Sequence, residues 1–247
     1  MVEIHVRRQD RPDSPPYWQE FLVPYHPGMN VISALMEIQR NPVTKQGEKV
    51  SPVVWEASCL EEVCGSCTMV INGKVRQSCS ALVDQLEEPI RLEPMRKFPV
   101  VRDLVVDRSR MFEYLKKIKG WVPIDGSFPL GPGPRMSERE REKAYALSRC
   151  MTCGCCVDAC PQVNDSSPFM GPQVLGQVYY FSFHPTSRMH QEERLRAVMG
   201  KGGIVDCSNA QNCEAVCPKG VPLLEAIAYV HRETTKLLLR DLFSKKE

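Results

Sequence analysis

Twelve cysteines fall in three groups along a chain of 247 residues. Four lie between positions 59 and 79, five between 150 and 160, and three between 207 and 217. Thiols this close in sequence suit a shared metal or cluster better than cross-links between distant segments. The opening segment MVEIHVRRQD is charged and alternating and lacks the apolar stretch of an export signal. A disulfide framework belongs to oxidising compartments and is not expected here.

The spacings narrow the chemistry. Cys59, Cys64 and Cys67 read C-x4-C-x2-C, and Cys79 follows after eleven further residues. That is the plant-type spacing for a [2Fe–2S] cluster. A tight loop can wrap three thiolates round one side of two irons. Gly65 and Ser66 are small enough to let the backbone close and aim N–H groups at the sulfurs. Residues 150–161, CMTCGCCVDACP, hold Cys150, Cys153, Cys156, Cys160 and Pro161 as a complete C-x2-C-x2-C-x3-C-P run. Residues 207–218, CSNAQNCEAVCP, repeat that run with Ala210 in place of its second cysteine. In two-cluster proteins the fourth cysteine of each run ligates the other cluster. Cys150, Cys153, Cys156 and Cys217 then form one set of four thiolates, fit for [4Fe–4S]. Cys160, Cys207 and Cys213 form a set of three. Three thiolates leave one corner of a cube unanchored: either it is lost, giving [3Fe–4S], or it stays open to water and substrate as a Lewis acid. The alanine methyl brings no ligand and excludes some water, which favours loss. Cys155 is left over and reads as a small buried thiol.

These groups need elements to hold them. EIHVRR (3–8) alternates like a strand, with QEFLVPY as its hairpin partner. Val31, Leu35 and Ile38 fall on one face of a helix over 29–39, with Asn30 as N-cap. TMVINGKVRQS carries Asn72 and Gly73 between β-prone runs, a hairpin signal that returns the chain to Cys79. IRLEP reads as a last short strand. Helical periodicity dominates beyond residue 105, where the domain boundary is expected: 1–105 β-rich with one helix, 106–247 helical. Helices are predicted over 108–120, from the Ser137 and Glu140 capping box into the second cysteine group, over 171–183 and 191–199, and over about 222–242. The stretch 120–136, with five Gly and Pro between Pro129 and Pro134, reads as loop.

Composition removes other classes. Lys plus Arg total 32 against 30 Asp plus Glu, without the basic excess of a general nucleic-acid binder. No apolar run reaches the roughly 18 residues a membrane span needs. GKGG (200–203) lacks Walker spacing and a preceding strand and reads as a turn. The five histidines are scattered, with none in a ligand pair. MRKFPVVR reads as a solvated linker. Trp18, Trp55 and Trp121 read as packing residues, and Trp55 is close enough to Cys59 to shield that site from water.

The three groups in this order, with the cysteine missing at Ala210, resemble the iron–sulfur subunits of succinate:quinone oxidoreductases and fumarate reductases. The resemblance covers nearly the whole chain. It implies an α+β fold, with an N-terminal β-grasp plant-type ferredoxin domain followed by an all-α bacterial-ferredoxin-like domain. It implies [2Fe–2S], [4Fe–4S] and [3Fe–4S] clusters in that order. It also implies a flavoprotein partner whose FAD oxidises succinate, a membrane-anchor subunit that can carry haem b, and a quinone acceptor. The chain would sit peripherally at the cytoplasmic face of the cell membrane, with no catalytic carboxylate or base of its own. Ubiquinone-reducing members carry tryptophans after the Cys-Pro matching Cys160 and Pro161, where this chain reads QVNDSSPFMGP, and a histidine where it has Ser208. Pro161 and Ser208 are thus the quinone-proximal positions, and the acceptor expected from these departures is menaquinone. The same motifs serve the reverse reaction, quinol:fumarate reduction. A hydro-lyase with an open iron near Ala210 and a zinc-stapled scaffold are the readings from other classes.

Overall fold

The computed structural model describes residues 1–123 and 135–244. Most of the loop predicted over 120–136 therefore lies outside the described residues. The chain forms two compact units: Met1–Arg108 with Met151–Asp158, and Ser109–Cys150 with Ala159–Glu247.

The first unit is built on a five-stranded sheet in the order β2-β1-β5-β3-β4. Strand β1 (Val2–Arg8) buries every second residue, Val2, Ile4, Val6 and Arg8, as its alternation requires. It pairs antiparallel with β2 (Tyr17–Val23) and parallel with β5 (Ile90–Glu93). Strands β3 (Thr68–Ile71) and β4 (Lys74–Gln77) form the expected hairpin. Asn72 and Gly73 turn it with φ +47° and +79°, the double positive φ that a two-residue turn of this hand demands. Helix α1 (Val31–Arg40) buries Val31, Ala34, Leu35 and Ile38 on the sheet's core. The Asn30 side chain caps it by accepting the Ser33 N–H, and its amide also donates to the Cys79 carbonyl. The helix start is thereby tied to a cysteine of the first group. This is the β-grasp arrangement expected.

A second, two-stranded sheet of β6 (Val100–Arg102) and β7 (Val105–Val106) lies where a solvated linker was expected. That expectation fails because Met95 and Phe98, within the basic run, are buried. Asp103, at the β6–β7 turn, is fully buried and accepts two hydrogen bonds from the equally buried Arg8 guanidinium, at 3.1 and 3.0 Å. The Val54 and Gln9 backbone N–H groups also donate to it. Arg8 further donates to Gln19 and to the Ser51 and Pro52 carbonyls. The pair is therefore hydrogen-bonded throughout, the condition under which burial of two charges is tolerated. Trp18 and Trp121 are 48% and 46% exposed, so they are not packing residues. Trp55 is half-buried against Ile32, Cys67 and Cys79 and does cover the first cysteine group.

The second unit is helical. It contains α2 (Ser109–Lys117), α3 (Glu138–Ser148), α5 (Pro172–Phe183), α6 (Gln191–Met199), α7 (Asn212–Ala215) and α8 (Leu223–Ser244). The remaining short helix, α4 (Cys155–Asp158), belongs to the first unit. Helix α3 starts at the Ser137–Glu140 capping box, with both reciprocal bonds present. Helix α5 is the hub, packing on α8, α6, α3 and α2. Tyr179 of α5 stacks on Tyr229 of α8 at 4.3 Å. Arg194 of α6 is fully buried and donates to the carbonyls of Lys119, Trp121, Phe181 and Ser187. GKGG is a turn, as expected, and Gly202, at φ +87°, sits where a Cβ would lie 2.8 Å from the Pro168 carbonyl oxygen.

Candidate functional site: three cysteine groups

The loop over 59–67 is wound so that its amides face sulfur. Left-handed φ of 60°, 57° and 73° at Leu60, Glu62 and Gly65 alternates with residues outside that region. Such alternation turns successive N–H groups into one concavity, an anion-binding nest. Glu61, Val63 and Cys64 donate to Cys59 Sγ at 3.4, 3.3 and 3.3 Å. Cys59 and Ser66 donate to Cys64 Sγ, both at 3.5 Å. Burial pushes the Cys64 thiol up, but the hydrogen bonds from Cys59 and Ser66 outweigh it and bring it down to about 6. Cys79 lies deeper, and burial, with a Cys67 hydrogen bond, pushes it up to about 11. N–H donors aimed at the Cys59 and Cys64 sulfurs are what a negatively charged cluster requires of its ligand loop, so the donor set fits [2Fe–2S]. Arg108 ties the loop down by donating to the Gly65 and Ser66 carbonyls at 2.7 and 2.6 Å.

In the second group, Cys153, Cys155 and Cys156 belong to the first unit, and Cys150 and Cys160 to the second. A Cβ at Gly65 would lie 2.7 Å from Cys153 Cβ and 2.8 Å from its Cα, so the glycine permits this approach. A hydrogen bond from Cys155, against the effect of burial, brings the Cys153 thiol down to about 7. Gly154, at φ +93°, rests on Met95 and Phe98, which explains why those two are buried. Asp158 of α4 accepts the Lys97 N–H, and burial raises its carboxyl above the usual range.

The third group lies in the second unit with Cys160. Burial pushes the Cys213 thiol up to about 11, and the charges of Cys160 and Cys207 add to it, so the three thiols lie within electrostatic reach of one another. Asn209 and Gln211 have φ of +55° and +64°, either side of Ala210. Ala210 itself is exposed, as are Pro161 and Ser208. The sequence reading gave the alanine methyl a water-excluding role; at an exposed position that role is lost and only the missing thiol remains. Cys217 accepts the Val221 N–H at 3.4 Å, and the Asn212 amide donates to the Ala159 carbonyl.

Known proteins carry the same architecture. A family model described as a 2Fe-2S iron-sulfur cluster binding domain matches residues 3–113, and one described as a 4Fe-4S dicluster domain matches 146–221. The succinate dehydrogenase iron-sulfur subunit of Bacillus subtilis is 61% identical over 98% of this chain and 96% of its own length. The chain belongs to the iron–sulfur subunits of succinate dehydrogenases and fumarate reductases. The fumarate reductase iron-sulfur subunit of Haemophilus influenzae is 30% identical over 95% of this chain and 93% of its own. Among solved structures, a chain of the Mycobacterium smegmatis Sdh1 complex in the apo form superposes with a TM-score of 0.74. It covers 95% of each chain at 24% identity, a likeness of fold.

The cysteines sit among residues whose roles spacing alone does not announce. Gln77, Asn30, Arg108 and Gly65 all touch cysteine-bearing segments; Gly65 and the Asn30 cap carried a sequence signal, Gln77 and Arg108 none. Among the described residues, His5 lies with Glu3 and Glu20, ligand atoms within 4.8 Å of one another. Sequence had left every histidine outside any ligand group. The strand register brings this trio together, and the Lys45 ammonium 2.8 Å from Glu3 already pairs with one of its two carboxylates. No helix among the described residues is long and apolar enough to cross a membrane.

Proposed function

We propose that this iron–sulfur subunit serves a membrane-bound succinate:quinone oxidoreductase. Cys59, Cys64, Cys67 and Cys79 would hold [2Fe–2S], Cys150, Cys153, Cys156 and Cys217 [4Fe–4S], and Cys160, Cys207 and Cys213 [3Fe–4S]. When bound, these clusters supply one-electron transfer between the FAD of a flavoprotein subunit and menaquinone. The protein's own part is to bind, orient and insulate. The 59–67 loop offers N–H groups to two sulfurs, Trp55 covers Cys67 and Cys79, and Arg108 fixes the loop carbonyls. Exposed Pro161 and Ser208 border the quinone, beside an anchor subunit that can carry haem b. The chain would lie peripherally on the cytoplasmic face of the membrane, and its domains would divide near residue 105.

The observation that carries this reading is the N–H nest around Cys59 and Cys64 on a three-plus-one cysteine spacing, a layout that the paired short knuckles of zinc modules do not use. The higher identity to a succinate dehydrogenase subunit than to a fumarate reductase subunit favours succinate oxidation as the working direction. Electron paramagnetic resonance of the purified complex tests the assignment. An air-oxidised [3Fe–4S] signal and a reducible [2Fe–2S] signal are expected; silence with stoichiometric zinc would overturn it. The complex should also reduce a menaquinone analogue faster than a ubiquinone analogue, and the opposite ranking would remove the menaquinone assignment.

A further inference from the structure

Gln77 ends β4, two residues before Cys79, and is fully buried. It stands opposite Thr68 in the β3–β4 register. An amide taken out of water costs several kcal/mol unless both its ends are hydrogen-bonded. A leucine would fill this position at no such cost, so the partners of the amide are informative. Its Oε1 lies 3.0 Å from Thr68 Oγ1, whose one proton is shared with the Gly65 carbonyl at 2.7 Å, and 3.8 Å from Cys67 Sγ. Its Nε2 donates to Cys155 Sγ at 3.3 Å. Cys155 is itself fully buried and hydrogen-bonds Cys153. Beside this bridge, the Gly65 backbone touches Cys153 directly. The ligand loop of the first cysteine group and the turn carrying Cys153 are thus in contact and joined by one carboxamide.

That carboxamide is an oriented dipole in a dry setting. Its oxygen faces Cys67 and its N–H faces Cys155. Hydrogen bonds and dipoles at the sulfurs are among the protein's means of setting cluster potentials. Negative oxygen near a sulfur opposes an added electron there. An N–H that polarises a thiol donating to the next sulfur favours one. We propose that Gln77 is a positioning residue that sets two potentials in opposite senses: its oxygen lowers that of the cluster held by Cys67, and its N–H, through Cys155, raises that of the cluster held by Cys153. The bias draws electrons from the first group toward the second. The proposal rests on the cluster assignment made under Proposed function.

The test uses the whole complex, unsubstituted and with Gln77→Leu, Gln77→Met or Cys155→Ala, with both midpoint potentials read by potentiometric electron paramagnetic resonance. Gln77→Leu and Gln77→Met should raise the [2Fe–2S] potential and lower the [4Fe–4S] potential. Cys155→Ala should lower only the second. Unchanged potentials, shifts of the same sign, or the reverse pair of signs would overturn the proposal; water entering a loosened site would move both potentials together. If Gln77→Leu is isolated without its clusters, the methionine variant and Cys155→Ala, which leaves Gln77 in place, decide the matter by the same criteria. Absence of the two signals from the unsubstituted complex would instead remove the cluster assignment.

Discussion

Replacing Gly65 by alanine separates two costs that usually arrive together. The first is conformational: at φ +73° an L-residue with a side chain is strained by about 1–2 kcal/mol. The second is steric. The new methyl would meet Cys153 Cβ at 2.7 Å and Cys153 Cα at 2.8 Å. A backbone atom cannot swing aside as a flexible side-chain tip can, so this is overpacking, at roughly 1–3 kcal/mol. Gly73, at φ +79° with nothing within 4 Å of its would-be Cβ, carries the first cost alone. Gly73→Ala is therefore the internal control. For a chain of this size 1 kcal/mol moves a thermal midpoint by roughly 2–4 °C, so Gly65→Ala should melt roughly 2–12 °C below Gly73→Ala. Because Gly65 lies between Cys64 and Cys67, Gly65→Ala should also lose visible cluster absorption that Gly73→Ala retains. The assay is the heating midpoint of that absorption and of far-ultraviolet ellipticity, side by side. Equal midpoints and equal cluster content in the two variants would refute the contact argument.

Asp103→Asn or Arg8→Met should each destabilise by roughly 3–5 kcal/mol in urea unfolding, because each strands a buried charge. Arg194→Lys should destabilise by a similar amount, since one ammonium cannot reach the carbonyls of Lys119, Trp121, Phe181 and Ser187 that the guanidinium spans; a midpoint equal to the parent's would count against that role. Gly176→Ala should be nearly neutral in the same measurement: a helix gains about 1 kcal/mol from the change, and the close atom outside its own helix, among the described residues, is the movable Cδ2 of Leu223 at 2.9 Å. Ala210→Cys should convert the third cluster toward [4Fe–4S] and lower its potential, and a persistent [3Fe–4S] signal would show that something besides the absent thiol sets the cluster type.

Local signals were read well because the physics behind them is local. The Asn30 cap, the Asn72–Gly73 hairpin, the Ser137–Glu140 box and the alternation of β1 need only a few neighbouring residues, and each was found. The ligand spacings are legible for the same reason, since one short loop must wrap one cluster. What was missed depends on residues far apart in sequence. MRKFPVVR looks solvated until Gly154 comes to rest on Met95 and Phe98. His5 looks solitary until the register sets it beside Glu20. Trp18 and Trp121 show the converse: an aromatic residue says nothing by itself of whether anything covers it. Gln77 drew no reading from the sequence, and only its burial between Thr68 and Cys155 makes it informative.

The membership of Met151–Asp158 in the first unit bears on how this protein is made. A ribosome that has released residues 1–108 has supplied the sheet, α1 and all four cysteines of the first group. It has not supplied α4, Gly154 or the Cys155 thiol. Until some fifty further residues emerge, Met95, Phe98 and Gln77 lack partners that the finished unit gives them. The nascent N-terminal part is thus left with an apolar and thiol-lined face uncovered. Synthesis of residues 151–158 is the step that covers it.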